Sequence, residues 1–159
     1  MDAAAARTPD YLSMKILKSI KYIFYTLVMF FLLWWFFLSH VTFLKEGDMV
    51  KAINSNDNFF AKYYEPYPTN LFGLYISLTE SQPVFVVLYN KDNNYIGQSS
   101  PFNMVGKYTF IDTVSFLPKK EYKKPLDHSY FIVIEGEDDA YDIDINHKKW
   151  WSKILQYFH

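Results

Sequence analysis

The most charged stretch of the chain is GEDDAYDIDIN, residues 136–146. Carboxylates at this density hold a calcium ion when one loop gathers them. The order here departs from D-x-[DN]-x-[DN]-G-x5-E, and its glycine precedes the acids. The run therefore reads first as a solvated turn and strand face. Its functional alternative is an acidic patch, Glu137, Asp138, Asp139, Asp142 and Asp144, that docks a basic partner, with a calcium site as a further alternative. Four histidines are present, His40, His128, His147 and His159. None forms an H-x-x-x-H or H-E-x-x-H pair, so no zinc site is expected. Neither G-x-S-x-G nor a phosphate-binding or dinucleotide fingerprint occurs, and Ser99, Ser100 and Ser115 have no base near them in sequence. No catalytic residue, metal ligand, cofactor or small-molecule substrate is expected. Lys119, Lys120, Lys123 and Lys124 form a basic loop that reads as solvated, with contact to anionic lipid or peptidoglycan as its alternative.

Aromatic residues are the remaining excess, at 21% of the chain with 15 Phe, 14 Tyr and 4 Trp. Tyr63, Tyr64, Tyr67, Phe72 and Tyr75 crowd into YYEPYPTNLFGLY. About half must fill a core. Tyrosine also supplies contact area at low entropic cost in protein interfaces. The Pro-rich turn with Tyr64, Tyr67 and Tyr75 is thus a candidate interface edge.

These residues need elements to position them, and a membrane helix comes first. No charged residue lies between Tyr22 and Leu44. A helix of that length reaches roughly 35 Å, more than a ~30 Å hydrocarbon core. Lys18 and Lys21 can snorkel at one end, and Trp34 and Trp35 sit near the opposite interface, for a span of about Ile16 to Phe37. Arg7, Lys15, Lys18 and Lys21 precede the run, whereas Lys45 and Lys51 after it are diluted by Glu46 and Asp48. The positive-inside rule then puts the N-terminus in the cytoplasm. The run is long for a cleaved signal, and FFLSHVTFLK offers no A-x-A-like site, so a retained signal-anchor is expected. Residues 1–13 read as a disordered cytoplasmic tail, with Met14 a possible natural start, 14–44 as the anchor and 45–159 as an extracytoplasmic domain.

That domain is expected to be α+β. KAINSNDNFFAKYY reads as two strands around the turn at Asn54 to Asn58. Asn70 to Ser77 suits a short helix capped by Thr69 or Asn70. Val84 to Tyr89, apolar on both faces, reads as a central strand, with NKDNN turning it into Tyr95 to Gln98. Tyr108 to Leu117, Ser129 to Glu135 and Ala140 to Ile145 supply further strands. Lys148 to Phe158 reads as a helix whose Trp150, Trp151, Ile154, Leu155 and Phe158 pack on the sheet, with the membrane surface as the other docking place. The expectation is one meander-like antiparallel sheet of about six strands with a C-terminal helix.

The absence of cysteine excludes disulfides and thiol chemistry, and a net charge of −1 advertises no nucleic-acid surface. Through MKILK…FFLLWWFFLS, YYEPYPTNLFGLY with FVVLYNKDNNYIGQSSPF, and KKWWSKILQYFH, residues 14–159 resemble a group of small single-pass inner-membrane proteins of enterobacteria-like bacteria. The resemblance implies no catalytic motif, and it implies an immunity partner of a secreted toxin, exposed on the outer side of the inner membrane. The expected partners are a lipid bilayer and a protein: the toxin or, alternatively, a larger membrane complex in which the chain is an accessory subunit.

Overall fold

The computed structural model describes residues 11–44, 49–107, 114–119, 121, 128–135 and 138–159. The chain divides after Trp34 into two compact units. Helix α1, Tyr11–Leu38, runs through the uncharged segment and closes in a 3-10 turn at Ser39–Val41. It is long and apolar enough to cross a membrane, and little of it is buried. Lys18 and Lys21 are exposed on it.

The second unit contains, in order, β1 Met49–Ser55, β2 Phe59–Tyr64, α2 Leu71–Thr79, β3 Pro83–Asn90, β4 Tyr95–Gln98, β5 Val105–Gly106, β6 Val114–Phe116, β7 Tyr130–Glu135, β8 Asp138–Asp144 and α3 Trp150–Leu155. The two expected strands before Glu65 form on either side of an Asx turn, in which Asn56 Oδ1 accepts the N–H groups of Asn58 and Phe59. In the β3–β4 hairpin, Asn93 takes a left-handed φ of 61°, and Asn90 Oδ1 accepts from the backbone of Asp92 and Asn94. Of the expected strand at Tyr108 to Leu117, Val114–Phe116 is a strand and 108–113 lie outside the described residues. The GEDD turn falls partly outside them as well.

The single meander is corrected by the pairing. The described strands form two antiparallel sheets, β1-β2-β3-β4 with β5 also on β3, and β6-β7-β8. The reason lies in β3, which is buried from Pro83 to Tyr89. One sheet with one short helix would leave a face of this strand wet. Instead, Phe131 and Val133 of β7 and Ile143 of β8 cover Val84, Val86 and Leu88 of β3 and Phe59, Ala61 and Tyr63 of β2. Gly97 permits this approach, since a Cβ there would come within 2.6 Å of Ile143 Cγ2. On the opposite face Phe85 stacks on Tyr64, and Tyr89 meets Phe60, Tyr95 and His159.

β4 and β5 share one edge of β3. Between them Ser99 completes the ladder, its N–H donating to Val86 O and its Oγ accepting from Val86 N. The C-terminal helix starts at Trp150, later than expected, because Lys149 is extended. It docks on β4: Ser152 Oγ bonds Tyr95 Oη at 2.8 Å, Trp151 Nε1 donates to Gln98 O, and Leu155 is fully buried. Trp150, Ile154 and Phe158, expected inside, are 53, 40 and 43% exposed. Six helical residues can turn only one stripe inward, and Ser152 and Leu155 occupy it.

Candidate functional site

The most densely bonded cluster lies where the apolar helix ends. Asn70 caps α2, its Oδ1 accepting from Gly73 N at 2.7 Å. That bond fixes the amide orientation, so Nδ2 faces three acceptors: Trp35 O at 2.8 Å, Ser39 Oγ at 3.0 Å and His40 Nδ1 at 3.1 Å. Ser39 Oγ donates to Trp35 O and meets Thr69 Oγ1 at 3.0 Å. His40 then accepts at Nδ1 and donates from Nε2 to Pro101 O at 2.9 Å, which defines the neutral Nε2–H tautomer. Tyr67 N donates to His40 O. Ser39, His40 and Asn70 are all buried, as are Leu38, Val41 and Thr42.

Glycine is needed beside this hub. A Cβ on Gly73 would come within 2.5 Å of Tyr67 O and 2.7 Å of His40 Cβ. Aromatic rings close the outside: Phe72 packs on Phe36, Phe37 and Phe102, and Phe102 meets Trp150 and Trp151. The hub thus ties the last turn of α1, the first turn of α2 and the loop after β4 together. Of its members, only Trp35, as an anchor residue, and Tyr67, as part of the aromatic edge, stood among the sequence-derived site residues. The signal present in the sequence was a Ser-His pair ending an apolar run and an Asn followed at three residues by Gly.

The sequence-derived residues are placed as follows. Trp34 is half-buried and Trp35 is 40% exposed. Tyr64 is buried, Tyr67 is half-buried and Tyr75 is 63% exposed, so only Tyr75 presents its ring freely. Glu137 lies outside the described residues, and for Asp138 and Asp139 the description reaches the backbone of β8. Asp142 is exposed, with Lys149 Nζ 3.8 Å away. Asp144 is buried and accepts from Asn146 N at 2.8 Å and from His147 Nδ1 at 3.0 Å. Burial raises its pKa, but these bonds and the His147 charge outweigh it and leave the carboxyl below its ordinary value. Of the five acids expected to form the patch, Asp142 is exposed and Asp144 holds the turn into α3.

Three further titratable groups, Tyr89, Tyr95 and His159, are built into packing. The His159 ring stacks on Tyr95 at 4.7 Å and bonds Tyr89 Oη at 3.2 Å; burial lowers its pKa to about 4. Burial likewise raises Tyr89 and Tyr95. Among the described residues no group of three His, Asp or Glu is placed to hold a metal. A half-open cleft of about 370 Å³ lies between Asn58, Asn90, Lys91, Asp92, Ile96 and Asn146, and its Asn90 amide oxygen is already used by the hairpin turn.

This is a two-sheet α+β domain preceded in the chain by an apolar helix. The chain belongs to a family of unknown function, DUF6201, whose model matches residues 18–155. No curated protein and no solved structure matches it.

Proposed function

We propose that the chain is a membrane-anchored binding protein of the bacterial inner membrane, N-terminus in the cytoplasm and domain on the outer side, which neutralises a secreted toxin by stoichiometric capture. The observation that carries the anchor is the burial of the helix exit. Leu38, Ser39, His40, Val41 and Thr42 are 0–2% exposed and form part of the domain's packing. Cleavage near Val41 would strip Leu38 and the Ser39–His40 bonds from the fold, so retention of α1 is the reading that leaves the domain intact. Lys15, Lys18 and Lys21 on the N-terminal side support the orientation.

The immunity role draws on the resemblance described above and on exposed Asp142, which would steer a basic toxin surface by salt-sensitive attraction. The test is co-expression with the toxin encoded beside it. Protection of the cell and co-purification of the two proteins are expected. Failure of both would leave the alternative, an accessory subunit of a larger membrane complex, which draws on the exposed apolar stripe of α2. Asp142→Lys should weaken capture. Asp144→Lys is unsuitable, because that carboxylate holds a buried turn. A reporter fused after His159 and active only outside the cytoplasm tests topology; its silence would refute the orientation.

A further inference from the structure

Helix α2 is apolar on both sides. Gly73 and Ile76 are buried and Phe72 packs on the rings of Phe36 and Phe37. On the other side, Leu71, Leu74, Tyr75 and Leu78 are 63, 46, 63 and 77% exposed. These are positions i, i+3, i+4 and i+7, the stripe that a helix of a soluble domain turns toward a core. No charged residue lies between Glu65 and Glu80. A single exposed leucine calls for no explanation, but four contiguous large apolar side chains mark a surface that something covers.

What covers it is indicated by where α2 begins. Its cap residue Asn70 hydrogen-bonds Trp35 O at 2.8 Å, and its Phe72 meets Phe36 and Phe37 at 5.8 and 5.9 Å. The first turn of α2 is therefore level with the last turn of the apolar helix, where Trp35 itself is 40% exposed. Phe43, just past the exit turn, is 54% exposed as well.

We infer that the Leu71, Leu74, Tyr75 and Leu78 stripe lies in the interfacial layer of the bilayer that α1 spans, as a second membrane contact. This rests on the anchor reading. An interfacial helix keeps a polar side toward water; here the domain occupies that side, so α2 is held between protein and lipid. Tyr75 and Trp35 are residue types favoured at that depth.

The chain has no cysteine, so a single introduced one is a unique label site. Full-length Leu74→Cys, Leu78→Cys, Asp92→Cys and Phe30→Cys variants, each spin-labelled, are reconstituted in phosphatidylethanolamine–phosphatidylglycerol vesicles. Collision with oxygen, which partitions into lipid, is compared with collision with a water-soluble nickel chelate. Labels at 74 and 78 should show a several-fold higher oxygen-to-nickel ratio than the label at 92, with the label at 30 higher still. A lipid-like ratio at 30 with a water-like ratio at 74 and 78 overturns the inference and leaves the anchor standing. Protection of 74 and 78 from both reagents also overturns it, in favour of a protein cover. A water-like ratio at 30 overturns the anchor and the inference together.

Discussion

Replacing Asn70 separates a simple helix cap from a hub that ties the last turn of α1 to α2 and the loop after β4. Asn70→Ala removes the acceptor for Gly73 N and the donor to Trp35 O, Ser39 Oγ and His40 Nδ1. Loss of an Asn cap costs about 0.5–2 kcal/mol. Of the acceptors left behind, Ser39 Oγ and His40 Nδ1 are buried, and an unsatisfied buried polar group costs about 1–3 kcal/mol. Trp35 O keeps its bond from Ser39 Oγ, so the full sum is not reached, and a loss of about 3 kcal/mol is expected. For a folded unit of this size that lowers the melting temperature by about 10 °C. The assay is thermal unfolding of full-length protein in detergent, followed by tryptophan emission and near-UV dichroism.

Asn70→Asp is the informative companion. Aspartate caps a helix about as well as asparagine. Its second oxygen, however, would face Trp35 O, and Ser39 Oγ and His40 Nδ1 would lose their donor. If the hub matters, Asn70→Asp is at least as destabilising as Asn70→Ala at neutral pH. A melting curve for Asn70→Asp that matches the wild type would refute the hub and reduce Asn70 to a cap.

Three further outcomes are expected. Trp151→Ala loses a bond to Gln98 O and the packing of a half-buried ring, and should cost about 2–4 kcal/mol; Trp150→Ala, at an exposed position, should cost much less, and equal melting shifts would overturn the docking geometry. Gln82 holds a φ of 53°, in the region that favours glycine, so Gln82→Gly should raise the melting temperature, by about 1 kcal/mol in stability; a lowered one would show that its side chain carries the turn. His159, with a pKa depressed to about 4, is neutral in the fold, so the stability it contributes is present above the ordinary value of 6.5 and is lost as pH falls from there through 4. His159→Gln should flatten that part of the pH–melting profile, and an unchanged slope would refute the assignment.

The apolar helix, the central strand β3 and the β3–β4 hairpin were legible because each is a local property: an uncharged run, a run apolar on both faces, and a cluster of Asn and Asp around one turn. The two-sheet arrangement was not. Periodicity tells that Val84, Val86 and Leu88 need a cover, but not that Phe131, Val133 and Ile143, some fifty residues on, supply it. The same limit applies to α2. The spacing of Leu71, Leu74, Tyr75 and Leu78 marks an apolar face and says nothing about whether it meets protein or solvent. Asp144 shows the reverse case, an acid that reads as surface charge and is drawn inward by the Asn146 and His147 bonds that form only when β8 ends.

A common pattern links these corrections. Three side chains that invited chemical readings, Ser99, His40 and Asp144, are used as fasteners, and Ser152 acts in the same way. Ser99 Oγ takes the Val86 N–H at the gap between β4 and β5, His40 spans Asn70 and Pro101, Ser152 holds Tyr95, and Asp144 holds His147. Ser99 and His40 satisfy backbone groups of Val86 and Pro101, and a buried unpaired group costs more than a bond returns. Outward, the described residues present an apolar stripe on α2, aromatic rings at Trp150 and Phe158, and one acidic side chain on β8. The fastening polar groups are turned inward, and the large apolar side chains of α2 are turned outward.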